Sequence, residues 1–139
     1  MSGFENATAF FHACEGLQGC EGCRQYVVDS ATFDAQSEPL VEVRSVEDYC
    51  EWMAGLGKGP LEGCSYDLHA SAWDDDSRCA IFFATFNGIH AGAGGPVEPT
   101  GKATRSHYVY VLQMDADDKV AHMTKVWNAP WALAELGWA

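Results

Sequence analysis

Apolar residues recur with helical spacing near the start of the chain. Phe10 and Phe11 fall on one side of a helix that Gly16 should end. A short second helix is predicted for residues 19–26. The chain therefore opens with two helices whose apolar sides can pack against the rest of the molecule.

A third helix is predicted to begin after Ser45. Asp48 follows Ser45 by three residues, an arrangement close to a capping box, and Glu47 in the first turn suits the helix dipole. The helix should end in the glycine-rich stretch 55–60. Its apolar residues recur at helical spacing: Val46, Tyr49, Cys50, Met53 and Leu56.

The second half of the chain changes to the pattern of β-strands. Residues 64–73 alternate between polar and apolar side chains, whereas residues 80–89 and 108–114 carry large apolar groups at both odd and even positions. Acidic turns at residues 74–78 and 115–118 separate these runs. The pattern predicts a meander of long strands.

Helices followed by a strand meander predict a single α+β domain over residues 1–139. An antiparallel sheet with one solvated face should alternate cleanly, and residues 80–89 and 108–114 do not. One face of the sheet can pack against the helices to form the core, while the other face contacts a second subunit. We therefore expect a homodimer through the outer face of the sheet.

The net charge of the chain disfavours anionic partners. Eight basic and 20 acidic residues among 139 give a net charge of −12, which repels phosphate backbones and anionic membrane surfaces. The first ten residues lack the features of a signal peptide, and no apolar run approaches the ~20 residues that a membrane span needs. We expect a cytoplasmic protein with reduced cysteines that binds neither nucleic acid nor membranes.

The end of the chain has a distinctive order of features. A strand, an acidic turn, Lys119-Val120 and a second strand lead to Trp127-Asn128 and a Leu133–Gly137 tail, and the loop GPVEPTGK precedes the first of these strands. This order resembles the closing hairpin of SnoaL-like proteins in the NTF2-like superfamily. The resemblance implies a cone, in which a strongly curved, mainly antiparallel sheet wraps around N-terminal helices and encloses an apolar pocket.

The same resemblance implies a chemistry. Proteins of this superfamily perform proton transfer at carbon, epoxide hydrolysis, dehydration or aldol cyclisation with an Asp or His in an apolar pocket. SnoaL-type cyclases carry an acid–base Asp at the end of the last strand, where this chain has Asn128. An amide cannot transfer a proton usefully, although it can donate a hydrogen bond to an oxyanion. The usual polyketide-cyclase chemistry is therefore disfavoured.

Side-chain alternation predicts which residues line the pocket. If Asn128 faces inward, then Val126, Thr124 and His122 face inward as well, with Tyr108 and Tyr110 on the neighbouring strand. A one-residue change in register would reverse these faces. The other predicted pocket residues are Phe82, Ala84, Phe86, Tyr66, Phe33 and Met53.

Two functions fit the sequence. In the first, the chain is an isomerase, dehydratase, hydrolase or cyclase that works without a cofactor: His122 moves the proton, while Tyr108, Tyr110 and Asn128 hold an oxyanion. In the second, the chain is a non-catalytic dimeric module that binds a small apolar or amphipathic molecule. His122 could also be a surface residue, or be satisfied by a neighbouring hydroxyl. Asp34 is a further candidate pocket carboxylate.

The stretch CEGLQGCEGC, residues 14–23, contains a C-x-x-C pair. A structural zinc site needs four ligands, usually as two close pairs, and Cys20 and Cys23 form a single pair. A thioredoxin-like site would require a strand-to-helix turn, but this pair lies in the helical start of the chain. We expect these thiols, with Cys14, to pack a corner between helices, with a reactive dithiol as the alternative. No metal site and no cofactor are expected.

Overall fold

The computed structural model describes residues 2–139. The helices are α1 (Gly3–Glu15), α2 (Gly19–Cys23), α3 (Val46–Lys58) and α4 (Ala129–Glu135). The strands are β1 (Val27–Ala35), β2 (Ser65–Asp74), β3 (Cys79–Ile89), β4 (Ala103–Met114) and β5 (Val120–Trp127). A 3-10 turn, Arg24–Tyr26, joins α2 to β1. Across residues 2–139, no helix is both long and apolar enough to cross a membrane.

Five strands form one sheet in the order β1-β5-β4-β3-β2. β2, β3, β4 and β5 pair antiparallel with their neighbours, while β1 pairs parallel with β5. Helices α1 and α3 pack against the sheet, and α2 packs against α1 and α3. The predicted α+β class and mainly antiparallel cone are confirmed.

Serine residues define where two of the helices begin. The Ser2 hydroxyl accepts a hydrogen bond from the Glu5 amide at 3.1 Å, and the Glu5 carboxylate accepts one from the Ser2 amide at 3.3 Å. The first helix therefore starts with a complete capping box, before the predicted apolar stripe. The Ser45 hydroxyl caps α3 by accepting from the Asp48 amide at 3.0 Å, as the sequence predicts.

Aromatic side chains join the helices to the sheet. Phe11 of α1 stacks on Phe82 of β3, with ring centres 4.9 Å apart. Phe33 of β1 stacks on Tyr49 of α3 at 4.7 Å. All four rings are buried. Because offset aromatic pairs add to the free energy of burial, these two contacts hold the helices over the concave face.

The register of β5 differs from the predicted one. An irregularity in the pairing lies between the Gln113–His122 pair and the Met114–Val120 pair, so Ala121 is an extra residue on the β5 side. Beyond it, Met123 and Lys125 are buried, while Val126 is 58% exposed. The prediction that His122, Thr124 and Val126 share the inner face is therefore wrong. Strict alternation counted back from Asn128 selected the outer face instead.

Candidate functional site

A cavity of about 390 Å³ lies between the inner face of the sheet, α3 and α4. Tryptophan, leucine and other apolar side chains form most of its wall, and they come from distant parts of the chain. The main apolar residues are Trp52, Met53, Leu56, Leu61, Phe86, Trp127, Leu133, Leu136 and Trp138. The composition suits a small molecule with a largely apolar body.

The loop between β3 and β4 forms one edge of this cavity. Gly92 donates a backbone hydrogen bond to the Pro60 carbonyl at 3.1 Å. A Cβ atom on Gly92 would lie 2.1 Å from the Gly59 carbonyl oxygen, so this close approach requires glycine. The contact holds Gly94 and Gly95 against the cavity.

Glu15, the last residue of α1, places its carboxylate on the cavity wall. The side chain is buried, with 5% of the residue exposed. Tyr108 donates a hydrogen bond to Oε1, and Tyr110 donates one to Oε2. Each carboxylate oxygen keeps a lone pair that could accept a hydrogen bond from a ligand.

Burial controls the ionisation of this carboxyl. Desolvation raises the pKa of Glu15, while the positive charge of Lys125 and the hydrogen bonds from Tyr108 and Tyr110 oppose the shift. Desolvation also raises the pKa of both tyrosines, and the nearby Glu15 charge adds to this effect. The tyrosines therefore remain protonated donors while the carboxyl can exist in either state.

Lys125 is a buried cation on the same wall. Only 7% of the residue is exposed, and its side chain lines the cavity. Desolvation lowers the pKa of Lys125 to about 8, although the Glu15 charge opposes that change. The Nζ atom lies between 4.6 and 5.6 Å from the ring centres of four aromatic residues: Trp127, Tyr49, Tyr108 and Trp52.

A chain of hydrogen bonds connects the two charged groups. Lys125 Nζ donates to the Tyr49 hydroxyl at 3.0 Å, and the Tyr49 and Tyr110 hydroxyls are 3.0 Å apart. Because Tyr110 donates its proton to Glu15, Tyr49 is the donor to Tyr110. All donors then point from the ammonium toward the carboxylate. The arrangement can carry a proton from Lys125 to Glu15 through the Tyr49 and Tyr110 hydroxyls.

Ser106 provides a further polar point on the cavity wall. Its hydroxyl is buried and has no hydrogen-bond partner within residues 2–139. Ser106 and Tyr108 are two residues apart on β4 and face the same way, which separates them by roughly 7 Å. A buried hydroxyl without a partner costs free energy unless a bound group supplies the hydrogen bond. Ser106 is therefore a candidate ligand contact.

The structure brings several predicted pocket residues to the cavity or to the core around it. Tyr108, Met53 and Phe86 line the cavity. Tyr110 lies behind Glu15. Phe82, Ala84 and Phe33 belong to the hydrophobic core beside the cavity, and Tyr66 packs at its margin with its hydroxyl 2.8 Å from His12 Nδ1.

The predicted proton carrier lies on the other side of the sheet. His122 Nε2 is 3.1 Å from the Asp34 carboxylate, and His122 Nδ1 is 2.6 Å from the Thr32 hydroxyl. The Thr124 hydroxyl also donates to Asp34, at 2.8 Å. The side chains of His122 and Asp34 are 38% and 54% exposed. This polar cluster, which includes Thr124, faces away from the cavity.

Asn128 has a local structural task. Its side-chain oxygen accepts a hydrogen bond from the Trp131 amide at 3.3 Å, so Asn128 is the N-cap of α4. His90, at the end of β3, is fully buried and accepts a hydrogen bond from the Trp138 indole at 2.8 Å. Asn128 and His90 therefore position the C-terminal segment that closes one side of the cavity.

Sequence reasoning missed Glu15 and Lys125. Two signals were available. Glu15 places a negative charge in the last turn of a helix, where the dipole disfavours it. Lys125 places a basic residue within the last strand, two residues before Trp127. Neither signal locates the cavity, because the two residues are 110 positions apart (125 − 15) and meet only in the folded chain.

Known proteins that resemble this chain were found among solved structures. No family model and no curated protein sequence matches the chain. Among solved structures, a protein from Jannaschia sp. CCS1 assigned as a SnoaL-like polyketide cyclase aligns with a TM-score of 0.78 at 16% identity, covering 99% of this chain and 92% of that one. An NTF2-like protein from Burkholderia thailandensis E264 gives 0.75 at 15% identity, covering 99% and 98%.

A third solved structure agrees with these two. A protein with a ketosteroid isomerase-like fold from Catenulispora acidiphila DSM 44928 gives a TM-score of 0.70 at 14% identity, covering 97% of this chain and 94% of that one. These alignments span nearly the whole of each chain, so they concern the complete arrangement of helices and strands. This chain therefore shares its fold with solved structures that include an NTF2-like protein and a SnoaL-like protein.

Proposed function

We propose that this chain is an enzyme that moves a proton on a small, largely apolar molecule, with Glu15 as the acid–base group. The observation that carries the proposal is a buried carboxyl, held by two tyrosine hydroxyls, on the wall of an apolar cavity. Burial raises the pKa of Glu15, so the carboxyl exchanges protons closer to neutral pH than an exposed glutamate does. Glu15 thus takes the role first assigned to His122.

Lys125 and Tyr108 supply the electrostatic part of the proposed mechanism. Lys125 uses one proton in its hydrogen bond to Tyr49, which leaves two N–H groups for a ligand. A developing negative charge on a substrate oxygen would be stabilised by this ammonium in a water-poor site. Tyr108 keeps Glu15 in position and touches the cavity itself. No step in this scheme requires a group from outside the chain.

The proposed reaction class is cofactor-independent isomerisation, dehydration, hydrolysis or cyclisation. One structural neighbour is assigned as a polyketide cyclase, and another is described as an epoxide hydrolase/cyclase-like enzyme in pyran ring formation. These reactions share proton transfer at a carbon or oxygen atom of an apolar skeleton. The ligand that we propose has such a skeleton, one oxygen near Glu15 and Lys125, and a second polar group near Ser106.

Hydrogen–deuterium exchange tests the proposal without knowledge of the natural substrate. A panel of small cyclic ketones, with 2-tetralone first, is incubated with the protein in D2O, and loss of the proton signal beside the carbonyl is followed by NMR. We expect the native protein to accelerate exchange and Glu15→Gln to lose about 100-fold or more of that acceleration. His122→Gln is the matched control and should retain it. Equal loss in both variants would contradict the assignment.

The second candidate function is a non-catalytic binding module for the same class of molecule. The largely apolar wall of the cavity favours it. Thermal shift with 2-tetralone separates the two functions, because any ligand of the folded state raises the melting temperature by mass action. Binding by the native chain and by Glu15→Gln alike, with no exchange in either, would indicate a binding module.

We also propose that the chain acts as a homodimer. The outer face of the sheet exposes Ile81 and Phe83 of β3, each 39% exposed, and Val126 of β5. An apolar strip on a highly acidic chain supports pairing with a second copy, in which the strips cover each other. The cytoplasmic location stays a prediction. The six free thiols are consistent with a reducing compartment.

A further inference from the structure

Three cysteine thiols from three different helices meet in the core. Cys14 lies near the end of α1, Cys23 is the last residue of α2, and Cys50 lies in the first half of α3. Their sulfur atoms all lie within 4.8 Å of one another. At most 1% of each residue is exposed. The predicted corner of packed thiols thus exists, but Cys50 replaces Cys20 as its third member.

The spacing of these sulfur atoms suits a single metal ion. Metal–thiolate bonds are about 2.3 Å long, so three sulfur atoms in a plane around one ion lie about 4.0 Å apart. The three thiols need only a small inward movement to reach this arrangement. Each is carried by a different helix, so side-chain rotation or a slight helix shift can provide it.

Burial of the cluster means that a bound cation would be held by sulfur atoms. All three cysteines are buried, and each offers one sulfur atom. Cysteine binds metals as the thiolate, so the thiols release their protons to solvent when the cation binds.

A second cavity gives access to the cluster from the surface. It has a volume of about 160 Å³. Its lining includes Cys20, Cys23 and Cys50, the acidic residues Asp29 and Glu47, and the basic residue Arg24. Cys20 is partly exposed, and its thiol donates a hydrogen bond to Glu51 at 2.9 Å. Two carboxylates against one guanidinium give this opening a net negative charge, which attracts cations.

We infer that Cys14, Cys23 and Cys50 form a three-coordinate site for a soft d10 cation, with Cu(I) as the ion that they fit best. Thiolate ligands select soft ions such as Cu(I) and zinc. Zinc in structural sites takes four ligands, whereas this cluster offers three convergent sulfur atoms. The site is lined by other residues than the Glu15 cavity, and the inference does not depend on the proposed function.

Competitive titration tests the site directly. The reduced full chain is titrated anaerobically with Cu(I) against the chromogenic chelator bathocuproine disulfonate. We expect one Cu(I) per chain and at least a tenfold loss of affinity in Cys23→Ser and in Cys50→Ser. Cys79→Ser is the matched control, because Cys79 lies on β3 in contact with Gln113 and should leave the affinity unchanged.

Two further measurements keep the result interpretable if a serine variant folds poorly. X-ray absorption on the native Cu(I)-loaded chain should show three sulfur neighbours. Cu(I) should raise the melting temperature of the native chain but not that of Cys50→Ala, whose folding is checked by circular dichroism. Two or four sulfur ligands, tighter binding of Zn(II) than of Cu(I), or loss of binding in Cys20→Ser alone would each overturn the inference.

Discussion

At the scale of single residues, Glu15 and Lys125 depend on each other. Each is buried at a cost, and each shifts the other's ionisation toward the charged form. The hydroxyls of Tyr49 and Tyr110 transmit this coupling through hydrogen bonds. A buried, connected pair of this kind is more typical of a reactive site than of a structural ion pair on the surface.

The first prediction concerns the stability of the fold as a function of pH. The pKa of Lys125 is about 8 in the folded chain and 10.5 as an exposed lysine, a difference that corresponds to about 3 kcal/mol. Because the unfolded chain binds more protons between these values, Lys125 increases the free energy of unfolding as pH rises from about 8 to 10.5. As pH falls through about 8, this contribution is lost.

Urea denaturation across that pH window measures the effect. Native protein should gain stability relative to Lys125→Met, while Lys102→Met, which removes an exposed lysine, should follow the native curve. A native chain and a Lys125→Met variant with parallel pH profiles would show that Lys125 keeps its ordinary pKa.

At the scale of elements, β5 and α4 decide which side chains reach the cavity. The extra residue at Ala121 turns Met123 and Lys125 inward, and Asn128 then starts α4 instead of continuing the strand. Helix α4 contributes Ala132, Leu133 and Leu136 to the cavity wall. The end of the sheet and the start of the helix therefore act as one unit in shaping the site.

The second prediction separates capping from catalysis at Asn128. Asn128→Ala should cost about 1 kcal/mol of stability because the Trp131 amide loses its acceptor. Asn128→Asp should retain stability, since aspartate is an equally good N-cap and suits the helix dipole. Chemical denaturation gives both values. The opposite result would be an Asn128→Ala variant that is as stable as the native chain but loses ketone exchange as Glu15→Gln does. That result would support the catalytic role first predicted for Asn128.

Much of the element pattern could be predicted because it depends on local physics. The Ser45 cap, the apolar stripe of α3 and the acidic turn before β5 each act within a few residues. The inward-facing residues of β5 could not, since the prediction assumed that Asn128 points inward, whereas Asn128 ends the strand and caps α4. The Glu15 and Cys50 sites depend on contacts between distant segments, for which no local pattern exists.

At the scale of the whole molecule, the sheet separates two environments. Its inner face holds the cavity and the aromatic core, and its outer face carries an apolar strip among polar residues. The chain has a net charge of −12, so most of its surface is strongly solvated. An apolar strip exposed to water is unusual on such a surface. Pairing of two copies would bury the strip without disturbing the cavity.

The third prediction tests this pairing. Phe83→Lys places a charge on the centre of the strip and should convert a dimer into a monomer, as measured by size-exclusion chromatography with light scattering. Glu42→Lys, at an exposed loop position, is the matched control for added positive charge and should remain dimeric. A native chain that is monomeric at all concentrations would contradict the proposed dimer.

The most direct test of the account is the ionisation of Glu15 itself. Infrared titration detects the C=O stretch of a protonated carboxyl, and subtraction of the Glu15→Gln spectrum isolates this one group. Because desolvation raises the pKa of Glu15, the band should persist above pH 4.5, the ordinary value for glutamate, and disappear as pH rises further. A Glu15 band that is already lost at or below pH 4.5 would contradict the claim that a proton-exchanging carboxyl lines the cavity.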